Sequence, residues 1–543
     1  MDFHEPTPPK KHNVFLPIIL SLVLVLGVWL GYFLTKQINS GSAFSQSRQA
    51  STNDKINSLL EYIEYQYVDT INKKDLVEKT VTSMLQSLDP HSAYIPAIDF
   101  ESVNEPLEGN FDGIGVEFNI IKDTIRVINP IEGGPSEKIG IRAGDRLIKV
   151  EGKNVAGVKI TNKEVFEKLR GKSGTVVAVT IFRSGIQKPL QFKITRDAIP
   201  LYSLDASYMV KPDIGYIKIS KFSATTYQEY LKAFNTLSKQ GMKKMILDLR
   251  GNPGGYLNAA VDISDEFLTN GLQIVYTQGK ANPKKVYKAT EHGSFENNPL
   301  VVLIDEGSAS ASEIVAGAVQ DNDRGTIIGR RSFGKGLVQD QLQLPDGSAI
   351  RLTIARYYTP TGRCIQKPYS DDKDQYYSEE YDRYTNGELL NEDSIKLDKT
   401  KQYKTPEGKI VYGGGGVMPD VFVPIDTARS NAFLNKIFYS GSINTFAFEY
   451  ADRNRAKLKA YGSAKNYINQ FEISPAILEE FYDYCTDKDL SLNLKMKAMT
   501  SEALKPYLKA FIGRDVPFDK DAYYPILNQK DKCILKATEV LSK

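Results

Sequence analysis

At 543 residues the chain exceeds what one hydrophobic core can organise, so several domains are expected. Its 69 Lys plus Arg against 66 Asp plus Glu leave a formal charge of +3, which offers no electrostatic footprint for nucleic acid or a strongly acidic substrate. Cys364, Cys485 and Cys533 lie far apart without CxxC or metal-ligand spacing, and an odd count argues against a disulfide framework, leaving room for one bridge on an oxidising side of a membrane. With only four histidines, candidates for a histidine base or a zinc site are few.

Residues 14–35 form an apolar run of 22 residues without a charge, about 33 Å long as a helix and enough for a hydrocarbon core of about 30 Å. Lys10 and Lys11 precede it, which favours a cytoplasmic tail (1–13), a transmembrane anchor (14–36) and an extracytoplasmic remainder. A cleaved signal peptide is the alternative, but the run is longer than the usual apolar region of about 7–15 residues and no A-x-A site follows. Residues 37–53 are polar, a linker. Residues 54–98 read as a helical segment: Ile56, Leu59, Leu60 and Ile63 recur at helical spacing, and a second helix ends near Asp89-Pro90.

From Phe111 the pattern changes to short strands and glycine turns, with FDGIGVEFNI, DTIRVINPI, PSEKIGIRAGD and TVVAVTIFRSG in succession. Residues 99–198 resemble a PDZ domain of the bacterial protease type. That resemblance implies that Gly113, Ile114, Gly115 and Val116 offer backbone N–H groups to a peptide's terminal carboxylate, the peptide adding a strand to the sheet edge. After Arg196, strands alternate with helices: IGYIKISKFS, a helix over 226–239, KKMILDLRGNPGG, PLVVLIDEG, a helix over 311–320, and GTIIGRR. This implies an α/β core over 199–426. Residues 369–405 are charged and tyrosine-rich and read as a long surface insertion. Residues 427–543 are helical in pattern, with packing or self-association as the default reading.

The chemistry concentrates in DEGSASASEIVAGAVQDNDRGTIIGRRSFGKGLVQ, from Asp305 to Gln339. A serine nucleophile needs a base within reach and donors for the oxyanion. Ser310 stands at a helix start, where the Ala311 N–H is a natural oxyanion donor. Read alone, Ser310-Ala311-Ser312-Glu313 is better explained as a capping box. Lys335 is the candidate base; a lysine base needs its pKa brought from about 10.4 toward about 7–8, and flanks without carboxylates suit that. Gln339, four residues on, is placed to orient the amine. The glycines also fit the G-x-x-x-x-G-K of a nucleotide loop, but Gly336 replaces the Ser/Thr and a strand rather than a helix follows. In DLRGNPGG, a type II turn at Pro253-Gly254 would expose the N–H of Gly254 or Gly255 as a second oxyanion donor.

Together LDPHSAY, the PDZ segment, DLRGNPGG, GSASASEI, FGKGLVQ and GVMPDVFVP, in that order, resemble the C-terminal processing (tail-specific) proteases. The resemblance covers residues 53–426. It implies a multidomain α/β protein with a crotonase-like protease core, an inserted PDZ domain and a Ser–Lys dyad of Ser310 and Lys335 assisted by Gln339. It also implies substrates with exposed C-termini and no metal, nucleotide or other cofactor. His91 and His292 read as structural or exposed. A homodimer or an adaptor protein is left open as a partner, nucleic acid is not expected, and the expected location is the inner membrane with the catalytic part outside the cytoplasm. The alternative is a catalytically inactive PDZ scaffold or receptor of the cell envelope.

Overall fold

The computed structural model describes residues 15–39, 52–370, 373–427, 432–488, 490, 494–516 and 518–543. The tail expected over 1–13 and most of the expected linker lie outside these residues. The chain divides into two compact units, 1–80 and 81–543. In the first, Phe15–Asn39 and Thr52–Gln66 are helices, and Lys73 pairs with Glu64 at 2.6 Å. Among the described residues no helix is long and apolar enough to cross a membrane. Helix Phe15–Asn39 covers the expected span, but its side chains at 16, 17, 20 and 34–39 lie outside the described set.

The second unit is built on a six-stranded sheet in the order Leu204–Lys211, Ile214–Ile219, Lys244–Asp248, Leu300–Ile304, Thr326–Gly329, Val421–Phe422. Only the first pair is antiparallel. A parallel sheet must be covered on both faces, and its strands read as continuous apolar runs, as LVVLI does at Leu300–Ile304. Helices Thr226–Lys239, Leu257–Asp265 and Ala311–Asp321 contribute Tyr230, Ile263 and Val315 to the core on one face. Every residue of Ala311–Asp321 is buried, which accounts for its small side chains: a Cβ on Gly317 would lie 2.7 Å from Thr359 Cγ2.

The opposite face is closed by Lys532–Ser542, through Cys533, Ile534, Ala537 and Leu541 against Tyr216, Ile246, Val301 and Ile328. The expected core boundary at 426 is therefore corrected: the last helix of the described chain is part of the core. The preceding helices form their own core around Phe446, Tyr467, Phe481 and Leu508.

A second sheet pairs Leu337–Gln343 with Ala349–Tyr358, which also pairs with Gln273–Gln278 and with Ala93–Ile95. The segment 54–98, expected to be helical, thus ends as a strand of the core. The PDZ sheet runs Val116–Ile120, Ile125–Pro130, Arg146–Val150, Val176–Phe182, Leu190–Thr195. A ribbon of Asn110–Gly113 with Asp197–Pro200 joins it to the core. The helix Phe100–Glu108, expected within the PDZ domain, bonds instead to the core, where Ala224 N–H donates to Leu107 O at 2.8 Å.

The stretch expected as a surface insertion is in part buried. Its helix Lys373–Thr385 turns Tyr376 and Arg383 inward, and Glu388 and Leu389 follow them into the interior. Composition misled here because charged residues are seldom buried unless paired, and these are paired.

Candidate active site

Strand Leu300–Ile304 and the loop after it bring three serines to the head of helix Ala311–Asp321, and their hydroxyls are used differently. Ser308 Oγ donates to Leu249 O at 2.9 Å, and Ser312 Oγ donates to Asn252 O at 3.0 Å, so both stitch the helix start to the DLRGNPGG segment. Ser310 Oγ makes no capping bond. The Glu313 N–H donates to the Ser310 carbonyl at 2.9 Å, and Ser310 N–H donates back to Glu313 Oε2 at 2.8 Å. Ser310 has φ 54 and ψ −111, a conformation that a residue with a side chain adopts only when its surroundings enforce it. Among the described residues the Ser310 hydroxyl carries no hydrogen bond, so the strain lies on the one serine of the three left unspent.

Opposite it, Gly254 has φ 99, in the left-handed region that favours glycine, but the turn expected at Pro253-Gly254 falls earlier, at Arg250-Gly251, where Asn252 N–H donates to Leu249 O at 3.2 Å. A Cβ on Gly254 would lie 2.7 Å from Ser310 Cβ and 3.0 Å from Ala311 N. Only glycine allows this approach. The Gly254 segment is held by Asn252, whose Nδ2–H donates to Ile219 O at 2.9 Å and whose Oδ1 accepts from Gly254 N–H at 2.8 Å. This corrects one expectation, because a Gly254 N–H spent on Asn252 cannot also face an oxyanion. Among the described residues the N–H groups of Gly255 and Ala311 carry no hydrogen bond, which leaves them as the available pair.

Lys335 lies in the loop before Leu337–Gln343 rather than on that strand, and a bulge between Val338 and Gln339 separates it from Gln339. Burial, and next the Arg351 guanidinium, hold its ammonium below the ordinary lysine range; Glu313 and Asp89 oppose this. Among the described residues no hydrogen bond or ion pair engages Lys335 Nζ. Ser310, Ala311, Gly255, Lys335, Gln339 and Tyr357 line one cleft of 1090 Å³. A separate hollow of 570 Å³ near Lys367 and Tyr369 contains neither Ser310 nor Lys335. The nucleotide-loop reading is excluded by the strand that follows Lys335, since phosphate cradling needs a helix N-terminus there.

The profile of Peptidase family S41 matches residues 213–372, a PDZ domain profile matches 126–183, and that of the activating protease CtpB N-terminal domain matches 29–97. A family of unknown function matches 433–517. A carboxy-terminal-processing protease of Bartonella bacilliformis is 38% identical over 350 residues, covering 64% of this chain and 80% of the relative. The chain belongs to the carboxy-terminal-processing protease family. The carboxy-terminal processing protease CtpA of Bacillus subtilis is 37% identical over 358 residues, 66% of this chain and 76% of its own. A solved photosystem II D1 C-terminal processing protease aligns over 69% of this chain and 87% of its own at 26% identity, with a TM-score of 0.36, too low to carry an argument. The protein is accordingly a serine peptidase with a PDZ domain, and proteins are its substrates.

Two supports of the protease site were missed in the sequence. Tyr357 Oη lies 2.6 Å from Lys335 O and 3.1 Å from Ser310 O; with one proton it donates to one at a time, the closer being Lys335 O. Glu313, seen only as a cap residue, accepts from Ser310 N–H and Lys335 N–H through Oε2, and from Ser332 Oγ and Gly334 N–H through Oε1. The S-x-x-E spacing was the available signal.

Gln339 does not reach the lysine: its Nε2 donates to Thr353 Oγ1 at 3.3 Å, and Thr353 Oγ1 donates to Asp89 Oδ1 at 3.1 Å. Its expected direct contact with the amine is thereby corrected to a chain leading to LDPHSAY. His91 is pushed down to about 4 by burial and then by the Lys335 charge, and its Nε2 lies 2.9 Å from Tyr376 Oη. His292 is exposed.

In the PDZ domain Gly113 ends the connecting ribbon opposite Asp197, and Gly115 turns at φ 71. Ile114 is buried, its carbonyl taken by Ser136 N–H at 3.1 Å. Strand Val116–Ile120 is the sheet edge, with Phe118 against Phe166 of helix Asn162–Leu169 at 5.6 Å between ring centroids.

Proposed function

We propose that the chain is a membrane-anchored endopeptidase that hydrolyses peptide bonds with a Ser310–Lys335 dyad. The observation that carries this is the pairing, in one cleft, of the unspent and strained Ser310 hydroxyl with a desolvated lysine that has no partner among the described residues. Neutral Lys335 Nζ takes the Ser310 Oγ proton as Oγ bonds to the scissile carbonyl carbon, whose oxygen becomes the oxyanion between the Ala311 and Gly255 N–H groups. Collapse breaks the C–N bond, and Lys335 returns the proton to the leaving amine. Water then attacks the acyl-serine with Lys335 again taking its proton, and Ser310 and the carboxylic acid are released. Gln339 supports the wall of the cleft through Thr353 and Asp89.

The edge at Val116–Ile120 and the N–H groups of Ile114 and Gly115, which carry no hydrogen bond among the described residues, favour capture of a substrate's C-terminal carboxylate by an added strand. The uncharged run of residues 14–35 favours a single-pass anchor at the inner membrane, with the peptidase on the extracytoplasmic side. Degradation of an unfolded protein by the detergent-solubilised full chain tests the dyad: Ser310→Ala and Lys335→Ala each lose at least about 10³-fold in kcat. Wild-type-like turnover in either variant removes the proposal. Amidating the substrate's C-terminus raises KM if the PDZ edge reads the carboxylate; an unchanged KM counts against that part alone.

A further inference from the structure

The Lys335 loop is gripped from two sides with opposite charge. On its inner side the Glu313 carboxylate takes the N–H groups of Gly334 and Lys335. On its outer side the Arg383 guanidinium takes carbonyls: Nη1 donates to Arg331 O at 3.2 Å and Ser332 O at 2.8 Å, and Nη2 donates to Phe333 O at 3.1 Å. Three consecutive carbonyls, ending two residues before the lysine, thus converge on one side chain.

Arg383 comes from helix Lys373–Thr385, beyond the 213–372 segment matched by the peptidase family. Tyr376, Glu379 and Arg383 stand at i, i+3 and i+7, so they share the face turned to the loop. Arg383 is 2% exposed; a guanidinium so buried is tolerable only when its charge and its N–H groups are matched. Its Nε donates to Glu379 Oε1 at 2.9 Å, so four donor contacts are satisfied. Glu379 also takes Lys367 Nζ at 2.9 Å and Arg331 Nη2 at 3.2 Å. Lys367 Nζ sits 4.0 Å from the Phe333 ring centroid and 4.3 Å from that of Tyr376, closing the wall behind the loop.

We infer that Arg383 is a positioning residue for the general base, and that the helix 373–385 is a working part of the peptidase. This rests on the reading of Lys335 as the base. Arg383 touches no reacting atom. By fixing the carbonyls of 331–333 it sets where the chain emerges at Lys335, and so both the direction of the amine and its shielding from water. A misplacement of about 1 Å in a catalytic group costs on the order of 10²-fold.

The test uses the full chain with a chromogenic peptide. Arg383→Gln keeps length and some donors but loses the fork. It is expected to lower kcat about 10- to 100-fold with KM within about twofold. The rising limb of its kcat–pH profile moves to higher pH, because a loosened lysine is better hydrated and holds its proton longer. Arg383→Lys keeps the charge on Glu379 but cannot span three carbonyls, and is expected to fall between the two. If Arg383→Gln does not fold, Arg383→Lys decides alone. Wild-type kcat, or a reduced kcat with the limb unmoved, overturns the inference. Activity retained in Lys335→Ala would instead remove the dyad beneath it, so the two failures are distinct.

Discussion

Ser310 and Lys335 donate their backbone N–H groups to the same carboxylate oxygen, Glu313 Oε2, at 2.8 and 2.9 Å. The proposed nucleophile and base are therefore held by one atom. Burial pushes the Glu313 carboxyl up, and the donors from Ser332, Lys335, Ser310 and Gly334 pull it back only in part. In Glu313→Gln one carboxylate oxygen becomes an NH₂ that must face N–H groups. Buried donors left unmatched cost about 1–3 kcal/mol each. The expected result is a loss of roughly 2–5 kcal/mol in stability and at least about 10²-fold in kcat, measured by denaturant midpoint and peptide turnover. Wild-type values for both would deny Glu313 this role.

Gly254 sets the distance between the two halves of the site. Its alanine variant meets Ser310 Cβ at 2.7 Å and Ala309 O at 2.8 Å, on a backbone at φ 99. Backbone strain there costs of order 1–3 kcal/mol, and the segments separate to relieve the contact. Gly254→Ala is expected to reduce kcat by about 10²-fold while the PDZ domain still binds peptide, which isothermal titration can check. Unimpaired turnover would mean that the Gly254 segment is free to move.

Arg351 faces the same cleft and repels the Lys335 ammonium. A base works only when deprotonated, so kcat rises with pH through the lysine's pKa, which lies below the ordinary 10.5. Replacing the guanidinium in Arg351→Gln removes a charge that lowers that pKa. The rising limb should then move to higher pH and turnover at neutral pH should fall. A limb that stays put would show that burial alone tunes the lysine.

Asp515, in the C-terminal helical module, supplies a stability test independent of catalysis. Burial pushes its carboxyl up from the ordinary 3.8 to about 6, with Arg514 opposing, Glu117 reinforcing and Arg455 opposing. The native state then binds the proton more tightly than the unfolded chain. The stabilisation is complete below about pH 3.8 and is lost as pH rises through about 6, a swing of roughly 3 kcal/mol. Asp515→Asn should raise the calorimetric Tm at pH 7.5 and leave it nearly unchanged at pH 4. An equal effect at both pH values would contradict this.

Much of this was legible in the residues. Helix Thr226–Lys239 was bounded from its amphipathic spacing alone, and LVVLI announced a strand covered on both faces. The site was legible as a pair of segments rather than as contacts. Periodicity shows which face of an element is apolar but not which partner will cover it, so helix Lys532–Ser542 passed as a tail. Asn252 and Tyr357 act through bonds to backbone atoms 33 and 22 residues away, at Ile219 and Lys335, which no local pattern encodes. Tyr376, Glu379 and Arg383 looked like solvent-facing residues because the matching charges and carbonyls sit in other segments.

The closing helix has a consequence for biosynthesis. Ile534, Ala537 and Leu541 are the apolar cover of the sheet that delivers Ser310, and they are translated more than 200 residues after it. A nascent chain carries both Ser310 and Lys335 long before this helix can shield that face from water. That face of the sheet is thus covered only after residue 541 leaves the ribosome, by which time the PDZ domain and the helix 373–385 are already available to fold.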